Sequence, residues 1–171
     1  MRPSLSSASI SKEMGLLTIA KRLAEATLPH PSQSDFLILE KEMMRHQIRL
    51  ETDLKDVPEI PFDRGQVSQV VMNMVNNSRD ALKDRENKQI KISLTEETAM
   101  LRLDIADNGS GIPPQVLKRL FQPFVTSKPA GKGTGLGLSV CHGIIKNHGG
   151  DIKVTTAQNK GTTWHIYLPK A

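Results

Sequence analysis

The sequence predicts a mixed α/β fold, and three observations carry that prediction. The run Leu101-Arg102-Leu103-Asp104-Ile105-Ala106 alternates apolar and polar residues, the period of a half-buried strand. Residues 64 to 83 place Val67, Val70, Val71, Met74, Ala81 and Leu82 on one stripe at helical spacing. Near the end, two alternating runs, 151–156 and 162–168, flank Asn159-Lys160-Gly161, a hairpin signal.

Length and composition bound the class. At 171 residues the chain suits one domain of ordinary size with a short appendage. Hydrophobic residues are 37% and charged residues 24%, the balance of a globular chain rather than a disordered one. Cys141 is the single cysteine, so no intrachain disulfide forms, and a reducing, intracellular setting fits. No apolar run reaches the roughly 18 residues of a membrane span, and residues 1–7 lack a signal peptide's apolar core. A cytoplasmic segment is therefore expected, without membrane contact of its own, any anchor being left to a longer parent protein. The net charge of +5 suits an anionic ligand or an acidic partner. Basic residues are dispersed and aromatics are 4%, which argues against nucleic acid. The five histidines are scattered and show no zinc spacing.

The elements follow in order. Residues 1 to 32 hold a serine-rich start and a helix from Ser11 with Leu16, Leu17, Ala20, Leu23 and Ala24 on one face, ended by Pro29 and Pro31. This segment is a structural add-on, a partner-binding helix or the stub of a neighbouring domain. A second helix spans 34–46 with Phe36, Leu39, Met43 and Met44 inward, and Ile48, Leu50 and Thr52 then alternate as a strand. After Pro58 and Pro61 comes the helix over 64–83. Ile90, Ile92 and Leu94 form a strand, Thr95 to Thr98 a turn, and 100–106 its hairpin partner. Pro113-Pro114 starts a short helix over Val116 to Leu120. Residues 121–130 read as a loop anchored by Phe121 and Phe124. A further helix runs to about His148, with Leu138, Cys141, Ile144 and Ile145 inward, and Gly149-Gly150 stops it before the last hairpin.

Three stretches carry chemistry. Asp107-Asn108-Gly109-Ser110-Gly111-Ile112 ends a strand with a carboxylate and a glycine turn that lets backbone approach a flat ligand. A carboxylate there can accept hydrogen bonds from an exocyclic amine; taken alone, the stretch serves equally as a strand-ending turn. Asn73 and Asn77 stand four apart on one helical face, with Asn76 beside them. Asparagine is a poor helix former, and its carbonyl is a hard oxygen ligand suited to Mg²⁺; alone, such amides read as solvating groups. Gly131-Lys132-Gly133-Thr134-Gly135-Leu136-Gly137 opens a helix, where free N–H groups and the helix dipole favour an anion. It fits neither a Walker A frame nor a dinucleotide fingerprint. Cys141 and His142, adjacent on a helix, point apart and form no nucleophilic pair.

Together, in this order, these motifs resemble the ATP-binding catalytic domain of sensor histidine kinases, in the wider family of gyrase, mismatch-repair and heat-shock chaperone ATPases. The resemblance covers about residues 34 to 169 and marks 33–171 as the catalytic domain. It implies a two-layer α/β sandwich: a mixed sheet, helices on one face, and a mobile lid over ATP. It implies that Asn77 binds Mg²⁺ and that Asn73 contacts a phosphate or a metal-bound water. Asp107 would read adenine, with Gly109, Gly111 and Ile112 shaping the pocket. Phe121 and Phe124 would hinge the lid. Backbone N–H groups around Gly133, Thr134, Gly135, Leu136 and Gly137 would hold phosphates, and Gly161 and Thr162 match the last glycine motif. Phe124-Val125-Thr126-Ser127-Lys128 is similar to the nitrogen-regulator-type version, in which Lys128 reaches the terminal phosphate.

The chain departs from the family pattern at several positions. Asp80-Ala81 stands where many kinases have a lysine and an aromatic residue, leaving Arg79 as a substitute cation. Ser78 replaces a common alanine and Asn159 a common glycine. None of the five histidines, His30 and His46 included, has an acceptor's setting. The resemblance therefore implies the catalytic half of a histidine kinase: ATP donates its γ-phosphoryl group to a histidine on a separate dimerisation domain, and a response regulator receives it downstream. The alternatives are an ATP hydrolase, a serine kinase or a non-catalytic ATP-binding module of the same fold. In hydrolases of this family a glutamate stands four residues before the metal-binding asparagine. Here that residue is Asn73, which cannot take a proton.

Overall fold

The structure is a computed structural model and describes residues 41–58, 60–126 and 133–170. The expected N-terminal helix, the start of the helix over 34–46, the 32/33 domain boundary and Lys128 lie outside these residues.

Residues 41–45 form a helical turn that ends at Gln47, whose φ is +56°. Met43 is buried, but Met44, expected inward, is 66% exposed. Adjacent helical positions sit about 100° apart, so one short turn buries only one of them. The chain then enters strand β1 (Arg49–Leu54), helix α1 (Arg64–Ala81), the hairpin strands β2 (Gln89–Glu96) and β3 (Met100–Asp107), and the short helix α2 (Pro114–Leu117). Helix α3 (Gly137–Asn147) and the hairpin β4 (Asp151–Ala157) and β5 (Gly161–Pro169) complete it.

The five strands form one mixed sheet in the order β1-β2-β3-β5-β4. Only β1 runs parallel to its neighbour; the other three pairs are antiparallel. Period-2 alternation sends Ile90, Ile92, Leu94, Leu101, Leu103, Ile105, Trp164, Ile166 and Leu168 to one face, where they are buried. Arg102, Asp104, His165 and Tyr167 occupy the other face and are half-buried. Helices α1 and α3 cover the apolar face. Val67, Val70, Val71, Met74, Val75 and Leu82 come from α1 and its end, and Cys141, Ile144 and Ile145 from α3, all in one core with the strands. This is the two-layer architecture the sequence predicts.

Helix α1 starts where Asp63 accepts the backbone N–H of Gln66 at 2.9 Å, an N-cap that satisfies a free donor. The backbone N–H of Asp63 donates to His148 Nε2 at 3.0 Å, while His148 Nδ1 donates to the Ile144 carbonyl at 2.8 Å. The His148 imidazole thus ties the start of α1 to the end of α3. Among the described residues, no helix is long and apolar enough to cross a membrane.

Candidate active site

Two registers determine what meets at the end of β3. Asp107 pairs with Ile90 across β2 and with Thr162 across β5. The carboxylate therefore ends its strand with a hairpin on one side and α1 above it. Its Oδ1 accepts the Gly109 N–H at 2.9 Å and the Thr162 N–H at 3.3 Å. Its Oδ2 accepts from Ser78 Oγ at 2.8 Å. Asp107 is 9% exposed and Ser78 fully buried. Burial raises the Asp107 proton affinity above the ordinary carboxylate value, and the hydrogen bonds from Gly109, Ser78 and Thr162 oppose it. Gly161, at φ +107°, makes the approach of β5 possible: a β-carbon there would fall on the Asp107 carbonyl oxygen.

Asp107 lines a cavity of about 950 Å³ between α1, the 108–112 loop, α2 and the start of α3. Asn73, Asn76 and Asn77 line it from α1, with Arg79 and Asp80 beyond them. Gly133, Thr134, Gly135, Gly137 and Leu138 line it from the entry to α3. Gly137 lies beside Asn73: a β-carbon on it would stand 3.8 Å from the Asn73 amide. Helix α3 begins without a side-chain cap, so the N–H groups of its first turn are open to an acceptor. Asn73 Nδ2 donates to the buried Cys141 Sγ at 3.3 Å, which orients the amide; burial pushes the Cys141 thiol up. Arg79 is the one cation among the described lining residues. Its guanidinium is shared by Glu42 at 2.7 Å and Asp80 at 3.2 Å.

Of the residues singled out in the sequence, the cavity gathers Asn73, Asn77, Asp107, Gly111, Ile112, Gly133, Thr134, Gly135, Gly137 and Thr162. Gly109 supports Asp107 from behind, packed on Ala81. Leu136 is partly exposed and is not among the lining residues. Phe124 departs from expectation: its ring is 77% exposed and anchors no core. The cause is backbone, since Phe124 takes φ +67° and its N–H donates to the Gly135 carbonyl at 3.0 Å, turning the ring outward. Phe121 does anchor the loop, stacked on His142 at 4.8 Å. Lys128 falls outside the described residues.

Several contributors escaped the sequence reading. Ser78 stands in the sequence only as the replacement of a common alanine, yet its hydroxyl donates to the Asp107 carboxylate. Its position directly after Asn77, on the same helix, was the available signal. Val116 and Leu120 also line the cavity and carried no motif, while Ser110, Val125 and Thr126 line it from within motifs in which they had been given no role.

The donor set fits a hard divalent cation that keeps water and phosphate oxygens as ligands. Asn77, which carries an amide oxygen, lines the cavity. Among the described residues, no group of three or more His, Cys, Asp or Glu could hold a metal unaided.

Comparisons with known proteins agree with this geometry. The family model described as "Histidine kinase-, DNA gyrase B-, and HSP90-like ATPase" matches residues 62–171. The chain is 36% identical over 153 residues to Sensor kinase CckA of Brucella abortus (strain 2308), covering 80% of this chain and 16% of that protein. It is 40% identical over 116 residues to Sporulation kinase A of Bacillus subtilis (strain 168), covering 68% of this chain and 18% of that protein. The chain therefore spans less than a fifth of the length of these two relatives. Among solved structures, the nucleotide-free catalytic domain of histidine kinase ThkA superimposes with a TM-score of 0.70 at 28% identity, covering 89% of this chain and 94% of that one.

Proposed function

Because the chain belongs to the histidine kinase-, DNA gyrase B- and HSP90-like ATPase family, we propose that it binds Mg·ATP and passes the γ-phosphoryl group to a histidine on a separate dimerisation domain. A response regulator receiver domain is the partner downstream. The observation that carries this reading is one cavity lined by buried Asp107 together with Asn73, Asn77 and the uncapped start of α3. A carboxylate held by three donors suits an exocyclic amine, and free N–H groups at a helix start suit phosphate.

In this reading Asp107 fixes the base, and Thr162 and Gly109 hold Asp107. Asn77 and Asn73 hold the metal and phosphate end, and backbone donors from Gly133 to Gly137 take phosphate oxygens. Gly111 and Ile112 shape the walls. Lys128 reaches the terminal phosphate. Asn77 would hold Mg²⁺, which would supply neutralisation of phosphate charge there. The chain's own residues supply positioning and electrostatics, which account for most of phosphoryl-transfer catalysis. The acceptor imidazole is itself a nucleophile, so a strong base is not required. The amide of Asn73 cannot activate water, which favours transfer over hydrolysis.

The test is incubation with γ-labelled ATP, with and without the dimerising helical hairpin of the parent kinase. Acid-labile label on the hairpin is the expected result. Steady ATP turnover by this chain alone, abolished by Asn73→Ala, would overturn the assignment in favour of a hydrolase.

A further inference from the structure

Arg85 sits just past the end of α1, its backbone N–H donating to the Leu82 carbonyl at 3.0 Å. Its Nη2 donates to the Gly109 carbonyl at 2.7 Å and to the Asn159 carbonyl at 2.7 Å. A guanidinium nitrogen of this type carries two N–H groups in a fixed plane, so one atom serves both acceptors. The two carbonyls belong to different loops: Gly109 to the turn after β3, Asn159 to the turn between β4 and β5. Each loop supplies one of the backbone donors on Asp107 Oδ1, Gly109 directly and the Asn159 turn through Thr162.

We infer that Arg85 is a positioning residue for base recognition, a clamp that holds both backbone donors against Asp107. The inference rests on the reading of Asp107 as the adenine-binding carboxylate. Few other bonds join the two loops. Asn159 N–H donates to the Ser110 carbonyl at 2.8 Å, and Ile112 N–H donates to Thr156 Oγ1 at 2.9 Å. Asn159 holds φ +60°, a left-handed conformation that asparagine adopts readily in tight turns, so its carbonyl is presented to Arg85 without strain. Without the guanidinium, the Asn159 turn loses a bond to the Gly109 loop, and the Thr162 donor is held less firmly. A buried carboxylate lacking one of its donors is less firmly oriented and discriminates less sharply for an exocyclic amine. The phosphate end, built from α1 and α3, does not include Arg85.

The clamp therefore acts on base selectivity and not on triphosphate binding. Calorimetric titration with ATP and with inosine triphosphate, which carries a carbonyl in place of the amine, separates the two. The unaltered chain is expected to prefer ATP by about 100-fold, because a site built to accept from an amine rejects its absence. In Arg85→Ala the ATP affinity is expected to fall about tenfold, the loss of one charge-assisted contact. Its inosine triphosphate affinity should change by less than about twofold, so the preference contracts. Arg85→Lys keeps a cationic donor and should recover part of the ratio. Equal losses for both nucleotides, or an unchanged ratio, would overturn the inference. Should Arg85→Ala lose its cooperative thermal transition, Arg85→Gln carries the same comparison with most of the stem retained. An unaltered chain without preference for ATP would instead refute the reading of Asp107 itself.

Discussion

Asp107 concentrates the physical conflict of the site in one side chain. A carboxylate at 9% exposure is costly to ionise, and three hydrogen bonds offset that cost only in part. Its proton affinity is therefore raised in the folded state, and the sign of the consequence follows. Below the ordinary carboxylate value both folded and unfolded states are protonated, and no stability is lost. As pH rises from that value through the folded one, the fold loses stability, and the loss is complete above it. Asp107→Asn removes this cost and keeps an oxygen for the Gly109 and Thr162 donors. At neutral pH its melting temperature is expected to equal or exceed that of the unaltered chain, with the gap closing below about pH 4. The same substitution presents a donor where an acceptor is needed, so ATP affinity should fall about 100-fold or more by calorimetry. A retained affinity would remove Asp107 from the site. Titration of ATP affinity against pH gives a second check. Affinity should decline on acidification at a higher pH than an exposed carboxylate would dictate, because burial raises the folded value.

At the scale of elements, α1 performs two tasks with its two faces. Val67, Val70, Val71, Met74 and Val75 bind it to the sheet, while Asn73, Asn76 and Asn77 look into the cavity. Three asparagines within five residues lower helix propensity, and the packed face compensates. Under the proposed function, Asn77→Ala leaves the core face intact. It should keep the thermal transition within about 1 kcal/mol of the parent while removing the Mg²⁺ dependence of ATP binding. Affinity that still responds to Mg²⁺ would place the metal ligand elsewhere. The β4–β5 hairpin is the second element under constraint. At Gly161, φ +107° combines with a backbone carbonyl where a β-carbon would stand. Gly161→Ala should destabilise by about 1–3 kcal/mol in urea unfolding, and it should weaken ATP binding because Thr162 is displaced with it. These elements were legible beforehand for different reasons. The core faces of α1 and α3 and the alternation of β2, β3 and β5 follow from periodicity alone. The bonding role of Ser78 did not, since a serine on a helix gives no sign of which strand end lies beneath it. Phe124 misled because aromatic residues in a proline-flanked loop usually anchor it. Here a left-handed backbone turns the ring to solvent.

For the whole molecule, a mixed sheet with one apolar face accepts helices on that face and leaves the other polar. The cavity arises between the helix layer and the ends of β3 and β5, where the order β2-β3-β5 puts a hairpin made late in the chain beside a strand made early. That juxtaposition brings Ser78, Asp107 and Thr162 together from three elements. The sequence by itself determined the local periods, the glycine positions and the order of motifs, because these depend on residue type and on neighbours a few positions away. From that order came the fold class and the family. Only the tertiary structure decided that Ser78 and Thr162 surround Asp107, that Arg85 ties two loops, and that Arg79 is held by Glu42. The physical reason is that these contacts join residues distant in the chain. Their partners are set by strand register and helix packing, which no local pattern specifies.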